Sequence, residues 1–346
     1  LLEVDGNQKS GSGTILRLAI AMAAILKKPL HMCNIRLKRP EPGLRPQHLE
    51  SVLTAAKLCN ADVDGALLGS GELWFYPSDI VGGRTEAEIG TAGSIPMLLI
   101  TVLPICAFAK NPVILHISKG GTDVSHSPTI SYLSHVFLPV LRKMGMKVSL
   151  KVHRYGYYPR GMGEVSIETQ PTPKLAPLRL EEFGSLEAVE GFSVCTFLAD
   201  RRVAERQAET ASNLLSSKGY HSTISAVNDF SNPLQKGSSL TLWARTDMGV
   251  TLGGDATGEL RKTSETVGRE ATENLLREVE AKATVDVHLA DMLVPYMALA
   301  EEECVFLTRS MTDHLETNMW LAREILGVEF KTSRTGNLCK VEKRES

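Results

Sequence analysis

His314 sits in the run Thr312-Asp313-His314-Leu315-Glu316-Thr317-Asn318. Thr312 and Asp313 are both N-cap residue types, so the spacing predicts a helix from here to near Leu326. His314 then falls in the first turn. Free backbone N–H groups and the helix dipole favour a phosphate there. An imidazole in that place could attack a phosphoryl group and form a phosphoramidate. A lone histidine in a first turn is more often structural, so this run alone does not make it a nucleophile.

Other segments carry related chemistry. Lys9-Ser10-Gly11-Ser12-Gly13-Thr14 is a glycine turn ahead of a helix, suited to a phosphate or to a plain tight turn. It is not a Walker A loop, because no G-K-[ST] ends it. Arg36, Lys38, Arg39 and Arg45 crowd a proline-rich loop that leads into Gln47-His48. Cations on a stiff loop suit RNA phosphates or a nucleoside triphosphate, and a solvated basic loop reads the same way. Gly120-Gly121-Thr122-Asp123 is a second candidate anion turn, or a cap for the next segment. Gly156-Tyr157-Tyr158-Pro159-Arg160-Gly161-Met162-Gly163 joins aromatics to a cation, a pattern for stacking on bases or for simple hairpin geometry. His288 and Asp291 share a helix face at i and i+3, facing a ligand or an ordinary surface. Glu301-Glu302-Glu303 reads as a solvated end.

Elements must hold these groups in place. Helical patterns run over Ile15–Lys28, His48–Cys59, Gly90–Ala109, Ile130–Met144, Arg202–Lys218, Thr263–Glu280 and Val285–Ala300. Strands are expected at Leu73–Tyr76, Val113–Ile117, Lys147–Val152, Phe192–Leu198, His221–Val227 and Ser239–Thr246. Three prolines in Gln170–Pro177 predict an extended connector. Strand–turn–helix joints recur without a strict internal repeat, which predicts a repeated α/β architecture.

Composition narrows the class. The 346 residues carry 38 Lys plus Arg against 40 Asp plus Glu, a net charge of −2, which excludes a globally basic coat protein. Six scattered cysteines without a C-x-x-C pair fit reduced thiols rather than a disulfide framework or zinc cluster. A cytoplasmic protein is expected. Arg17 interrupts one apolar run and Pro96 and Pro104 the other, so neither reaches the ~20 residues of a membrane span.

In their order along the chain, these pieces resemble the RNA 3′-terminal phosphate cyclase family over essentially the whole length. The family's E-G-G-G-Q-I-L-R is matched by Ser10–Arg17. Its I-R-x-x-R-x-x-P-G-L-x-x-Q-H-L is matched by Ile35–Leu49. Gly90–Ser94 matches G-[ST]-A-G-S, Lys119–Asp123 matches K-G-G-T-[DN], and Gly156–Glu164 matches G-x-Y-P-x-G-G-G-E with Met162 for a glycine. His314–Asn318 matches H-x-x-T-N. Val285–Leu293 resembles the archaeal branch.

The resemblance implies an α/β (α+β) fold, with a large domain of repeated α/β units and helices packed on sheets. A smaller inserted α/β domain is expected at 181–280, leaving 1–180 and 281–346 to the large domain. It implies an enzyme that uses ATP and Mg²⁺ or Mn²⁺ to turn an RNA 3′-phosphate into a 2′,3′-cyclic phosphate, through a histidine–AMP and then an RNA-adenylate. His314 matches the nucleophile. Arg17, Pro128 and the segment His288, Leu289, Ala290, Asp291 and Met292 match ATP-binding positions. Arg36, Arg39, Arg45, Gln47 and His48 are assigned to phosphate or RNA. The partner implied is RNA with a 3′-phosphate end, and no membrane. Four departures stand out. Ser10 replaces the family's glutamate, a metal-site candidate. Ser12 and Thr14 replace a glycine and a glutamine, and Ile100 falls where a glutamine lies near the nucleotide. Other readings are a non-enzymatic cyclase-like RNA-processing factor, an enolpyruvyl transferase of related fold and a simple RNA-binding module.

Overall fold

The computed structural model describes residues 1–344; the last two positions of the range 281–346 lie outside it. Chain order builds one unit twice, then a third time with an interruption. In the first unit, β1 (Leu2–Asp5), β2 (Leu30–Cys33), β3 (Asp62–Asp64) and β4 (Leu73–Tyr76) form a sheet in the order β1-β2-β4-β3. Helices α1 (Gly13–Leu26) and α2 (Pro46–Cys59) follow β1 and β2.

The second unit has β5 (Gly83–Glu88), β6 (Val113–Gly120), β7 (Val148–Arg154) and β8 (Gly163–Thr169) in the same order, β5-β6-β8-β7. Here α3 (Ile95–Ala107) takes the place of α1. The second helix is broken: α4 (Ile130–Tyr132) and α5 (Leu138–Lys143) flank a π turn at Leu133–Phe137. Pro139 has no N–H for the carbonyl four residues back, which disturbs the expected continuous helix 130–144.

The third unit opens with β9 (Arg179–Leu180). A different sheet then intervenes, with β10 (Leu186–Thr196), β11 (Ser222–Asp229), β12 (Gly237–Thr246) and β13 (Thr251–Thr257) ordered β11-β10-β12-β13. Helices α6 (Val203–Ser217) and α7 (Ser264–Ala281) pack with it. The unit resumes with α8 (Val287–Leu299), β14 (Cys304–Thr308), α9 (Asp313–Leu326), β15 (Phe330–Thr335) and β16 (Leu338–Lys343). Its sheet again reads β9-β14-β16-β15. All three repeated sheets pair their first two strands in parallel and the others antiparallel. On this topology we propose that the insertion lies between β9 and α8. Helix α7 runs one residue past the expected boundary at 280, and Asp286 already caps α8.

Local chemistry explains the helix starts. Ser12, Ser94, Asp286 and Thr312 each accept a backbone N–H as N-cap of α1, α3, α8 and α9. The expected helix 90–109 starts late for this reason. Gly90–Ser94 is a turn, Gly90 has φ +73°, and Pro96 suits the first helical turn. Helix α1 is buried all round except at Thr14, Arg17 and its last two residues, Ile25 and Leu26, and it packs against α2, α3 and α9. One large apolar core runs beneath all four sheets, with a small separate cluster at Cys195, Val203 and Ala204 in the inserted unit. The six cysteines are free, five of them buried. Among the described residues no helix is long and apolar enough to cross a membrane.

The inserted sheet is fixed to the second unit by a polar seam. Ser239 Oγ donates to Asp123 Oδ1 (3.2 Å) and the Thr129 N–H donates to Asp255 Oδ2 (2.7 Å). Tyr132 Oη donates to Asp286 Oδ1 (2.6 Å), and Gly253 N donates to Asp286 Oδ2 (2.9 Å). Asp123 is thus a buried tie, also bonded to Thr122, and not an open anion turn. Two adjacent glycines in β13 make the close approach possible. A Cβ at Gly253 would lie 2.4 Å from Tyr132 Cε2, and one at Gly254 would lie 2.4 Å from the Leu275 nitrogen. Consecutive strand residues point to opposite faces, so helices press on both sides of this strand. Replacing Gly253 or Gly254 by Ala is expected to cost about 1–3 kcal/mol, the usual range for overpacking. Urea unfolding measures it, and an unchanged midpoint for both variants would contradict the packing described.

Candidate functional site

Helices α1, α3, α7, α8 and α9 and the inserted sheet leave a cleft of about 570 Å³ between them. Its polar end is built by two helix starts, those of α1 and α9, which lie in contact. Unpaired N–H groups at such ends favour an anion. His314, in the first turn of α9, lies in this wall as expected.

Three hydroxyls of the α1 turn gather near the His314 ring. Its Nδ1 is 3.2 Å from Thr14 Oγ1 and 3.5 Å from Ser12 Oγ. Ser12 Oγ is 3.0 Å from Ser10 Oγ. Arg17 Nη2 donates to Thr14 Oγ1 at 3.1 Å. Burial lowers the His314 pKa, and the nearby charges of Arg17 and Arg39 lower it further. The ring is therefore neutral at pH 7. In the sequence Thr14 and Ser12 belong to the glycine turn and stand out only as departures from the motif it resembles. Their signal was the replacement of a glutamine and a glycine by hydroxyl residues.

The arginine loop behaves less uniformly than its sequence suggests. Arg36 Nη1 donates to the carbonyls of Glu41 (2.9 Å) and Gly43 (2.8 Å), so it closes the proline-rich loop on itself. Arg45 pairs with Glu41 at 2.6 Å. Arg39 is exposed, with no ion pair among the described residues, and it acts on His314 through its charge. Arg17 reaches the cleft, its guanidinium pulled down to about 10 by burial and by Arg36, and it stays charged at pH 7. His48 is buried beside it. A Cβ on Gly13 would lie 2.3 Å from His48 Nε2, so the missing side chain is what admits the imidazole. Burial, with Arg17, Arg36 and Arg45, lowers His48 to about 3, so it stays neutral, and its Nδ1 has no partner. Gln47 Oε1 accepts from the Ser94 N–H (2.8 Å) and holds the 90–94 turn against α2. Arg36, Arg45, Gln47 and His48 thus support the polar end without lining the cleft.

The other end is apolar. Leu18, Ala21, Met97, Ile100, Pro104 and Pro295 line it. Thr14 to Ala21 along α1 spans roughly 10 Å at 1.5 Å per residue. Over this length the cleft passes from a polar end to an apolar one. Of the segment expected to bind ATP, His288, Asp291 and Met292 face the cleft, as do Arg17 and Pro128. Leu289 and Ala290 are fully buried on the opposite face of α8 and belong to the core. Asp291 accepts from Thr312 Oγ1, and burial raises its pKa to about 6. The inserted sheet adds Asp255 and Thr257, and α7 adds Asn274. These residues carried no local motif; only Gly253-Gly254 marks the strand.

A divalent ion does not find a ready cage. Among the described residues no three His, Cys, Asp or Glu side chains meet in metal-holding geometry. Ser10 offers the α1 turn a hydroxyl and not a carboxylate. Asp255 and Asp291 line the cleft, but each already accepts a hydrogen bond, and burial raises both pKa values. Hard cations prefer clustered anionic oxygens, and these residues do not supply them.

Comparison with known proteins agrees with the order of motifs. The family model for RNA 3′-terminal phosphate cyclase matches residues 8–332. An RNA 3′-terminal phosphate cyclase from Pyrobaculum aerophilum is 41% identical over 341 residues, covering 99% of this chain and 97% of its own length. The protein of that name from Pyrococcus furiosus is 41% identical over 331 residues, with 96% and 95% covered. That from Methanopyrus kandleri is 39% identical over 349 residues, with 99% of each covered. With the three repeated units and the interrupted third, this match shows that the chain belongs to the RNA 3′-terminal phosphate cyclase family.

Proposed function

We propose that this protein is an RNA 3′-terminal phosphate cyclase that activates the RNA end with ATP. The observation that carries the reading is His314 Nδ1 held at 3.2 Å from Thr14 Oγ1, at the polar end of a nucleotide-sized cleft. Thr14 Oγ1 already accepts from Arg17 and has a second lone pair for an Nδ1–H. That tautomer leaves the Nε2 lone pair bare, as a nucleophile requires.

The steps follow from charge and leaving groups. His314 Nε2 attacks the ATP α-phosphorus, a P–N bond forms and pyrophosphate leaves. An oxygen of the RNA 3′-phosphate then displaces the imidazole and takes the adenylyl group. The adjacent 2′-hydroxyl attacks the 3′-phosphorus, loses its proton and releases AMP, which closes the ring. Adenylation is needed because a phosphate monoester oxygen leaves poorly. Arg17 and Arg39, with the two helix N-termini, stabilise the charge that spreads over the transferring phosphate. The apolar end takes the base. A Mg²⁺ or Mn²⁺ ion would draw its oxygens mainly from the triphosphate, since the protein offers no carboxylate cluster; none of these steps depends on it.

Incubation with ATP radiolabelled at the α-phosphate is expected to leave an acid-labile label on the protein. His314→Ala abolishes it, and RNA ending in a 3′-phosphate discharges it. No label in folded wild-type protein under either metal would contradict the reading and favour the non-enzymatic RNA-processing alternative.

Thr14→Val keeps the shape and loses the hydroxyl. Single-turnover labelling should slow by roughly ten- to a hundredfold, the effect of one hydrogen bond to a group that gains charge. Thr14→Ser should restore most of the rate. Equal rates for Thr14→Val and wild type would remove Thr14 from the mechanism.

The pH dependence has a definite sign. The neutral ring is the active form, and its pKa lies below 6.5. The pH at which labelling falls to half its plateau should therefore lie on the acidic side of pH 6.5. A rate that halves above pH 6.5 would contradict the environment assigned to His314.

A further inference from the structure

A second surface lies beyond the 90–94 turn and is rigid, aromatic and exposed. The hairpin 156–163 is anchored by Tyr157, which is buried rather than free to stack. Its ring lies so close to Gly237 that a Cβ there would come within 2.1 Å, and its hydroxyl accepts from Thr196 Oγ1 (3.2 Å). Tyr158, the next residue, is 77% exposed. The loop 229–236 clamps the same hairpin. Asn232 Nδ2 donates to the carbonyls of Tyr155 (2.7 Å) and Gly161 (3.1 Å). Gln235 Nε2 donates to the Tyr158 carbonyl (2.9 Å), and Gln235 Oε1 accepts from Arg160 N (3.3 Å). On this loop Phe230 is 62% exposed and stands edge-on to Phe197, with centroids 5.5 Å apart.

The exposed rings stand among cations. Arg160 and Lys236 are exposed and have no ion pair among the described residues. Rigidly presented rings in water are unfavourable unless something covers them. The surface also connects to the cleft. Gly161 packs on Thr91 and Ala92, where a Cβ would lie 2.7 Å from the Thr91 carbonyl. Two residues on, Ser94 Oγ donates to Ser127 Oγ (2.9 Å), and Ser127 lines the cleft. The hairpin thus abuts a turn that reaches the cleft wall through Ser127.

We propose that Tyr158 and Phe230, flanked by Arg160 and Lys236, form a stacking platform for unpaired bases of RNA upstream of its 3′-phosphate. The proposal rests on the reading that the protein acts on an RNA 3′ end. Aromatic faces accept any base, and the cations meet the backbone phosphates. Separate rings interleaved with cations suit a single nucleic-acid strand better than the continuous apolar patch a protein partner needs.

Fluorescence anisotropy without ATP tests it. The probes are a long single-stranded RNA and a dinucleotide, both ending in a 3′-phosphate. Tyr158→Ala and Phe230→Ala should each weaken the long RNA roughly five- to a hundredfold. The dinucleotide and ATP labelling of His314 should be unaffected. Tyr158→Phe should bind as wild type, because the ring and not the hydroxyl is used. Arg160→Ala and Lys236→Ala should each lower the log–log salt slope by about 0.7. Wild-type affinity for long RNA in the Tyr158→Ala, Phe230→Ala double variant would overturn the platform. So would an equal loss for the dinucleotide, which would place the effect in the cleft. Absence of the His314 label in wild type would refute the cyclase reading but leave this RNA comparison standing.

Discussion

The structure depends on keeping one imidazole neutral inside a positive field. In the proposed mechanism, protonation of His314 would cost the lone pair that attacks ATP, yet binding phosphates requires cations beside it. Burial and the charges of Arg17 and Arg39 solve both demands together, because they attract the anion and repel the proton. His48 shows the same logic in a stronger form, fixed neutral behind the site by burial and three arginines. The α1 turn completes the arrangement with hydroxyls. A hydroxyl can hold Nδ1 in place without adding the negative charge that would raise the ring's pKa. This gives Ser12 and Thr14 a shared physical role, with Ser10 bonded behind Ser12.

The scaffold is arranged to bring two helix starts together. Helix α1 comes from the first unit and α9 from the third, so the polar end exists only when the units pack. The second unit supplies α3 and the 124–128 loop, and the inserted sheet closes the remaining side. The aspartates of the seam fix that sheet from both directions: Asp286 caps α8 while it binds Tyr132 and Gly253. One buried carboxylate thus ties the insert, the second unit and the helix carrying His288 and Asp291. Rigidity of this kind is what near-attack geometry requires.

The sequence revealed most where the determinant was local. The Thr312 cap placed His314 correctly in a first helical turn, and the glycine turn before Ile15 was visible as a helix start. The repeated α/β character was legible from recurring joints, and the motif order led to the family. Tertiary effects were not legible. Nothing in Gly120–Asp123 distinguishes an anion turn from a buried tie to Ser239, 116 residues away. Arg36 and Arg39 look alike in sequence, yet one closes its own loop and the other stays open. Leu289 and Ala290 followed the family segment, but helical periodicity turns them into the core. The insert's share of the cleft had no local sign, because Asp255 and Asn274 meet it only through packing.

The central claim concerns the protonation and tautomer of one ring. Nitrogen-15 NMR of histidine-labelled protein, with His314→Ala to assign the signal, reads both directly. The account predicts a neutral His314 at pH 7, protonated on Nδ1, that titrates below pH 6.5. A ring protonated on Nε2, or one still charged at neutral pH, would contradict it.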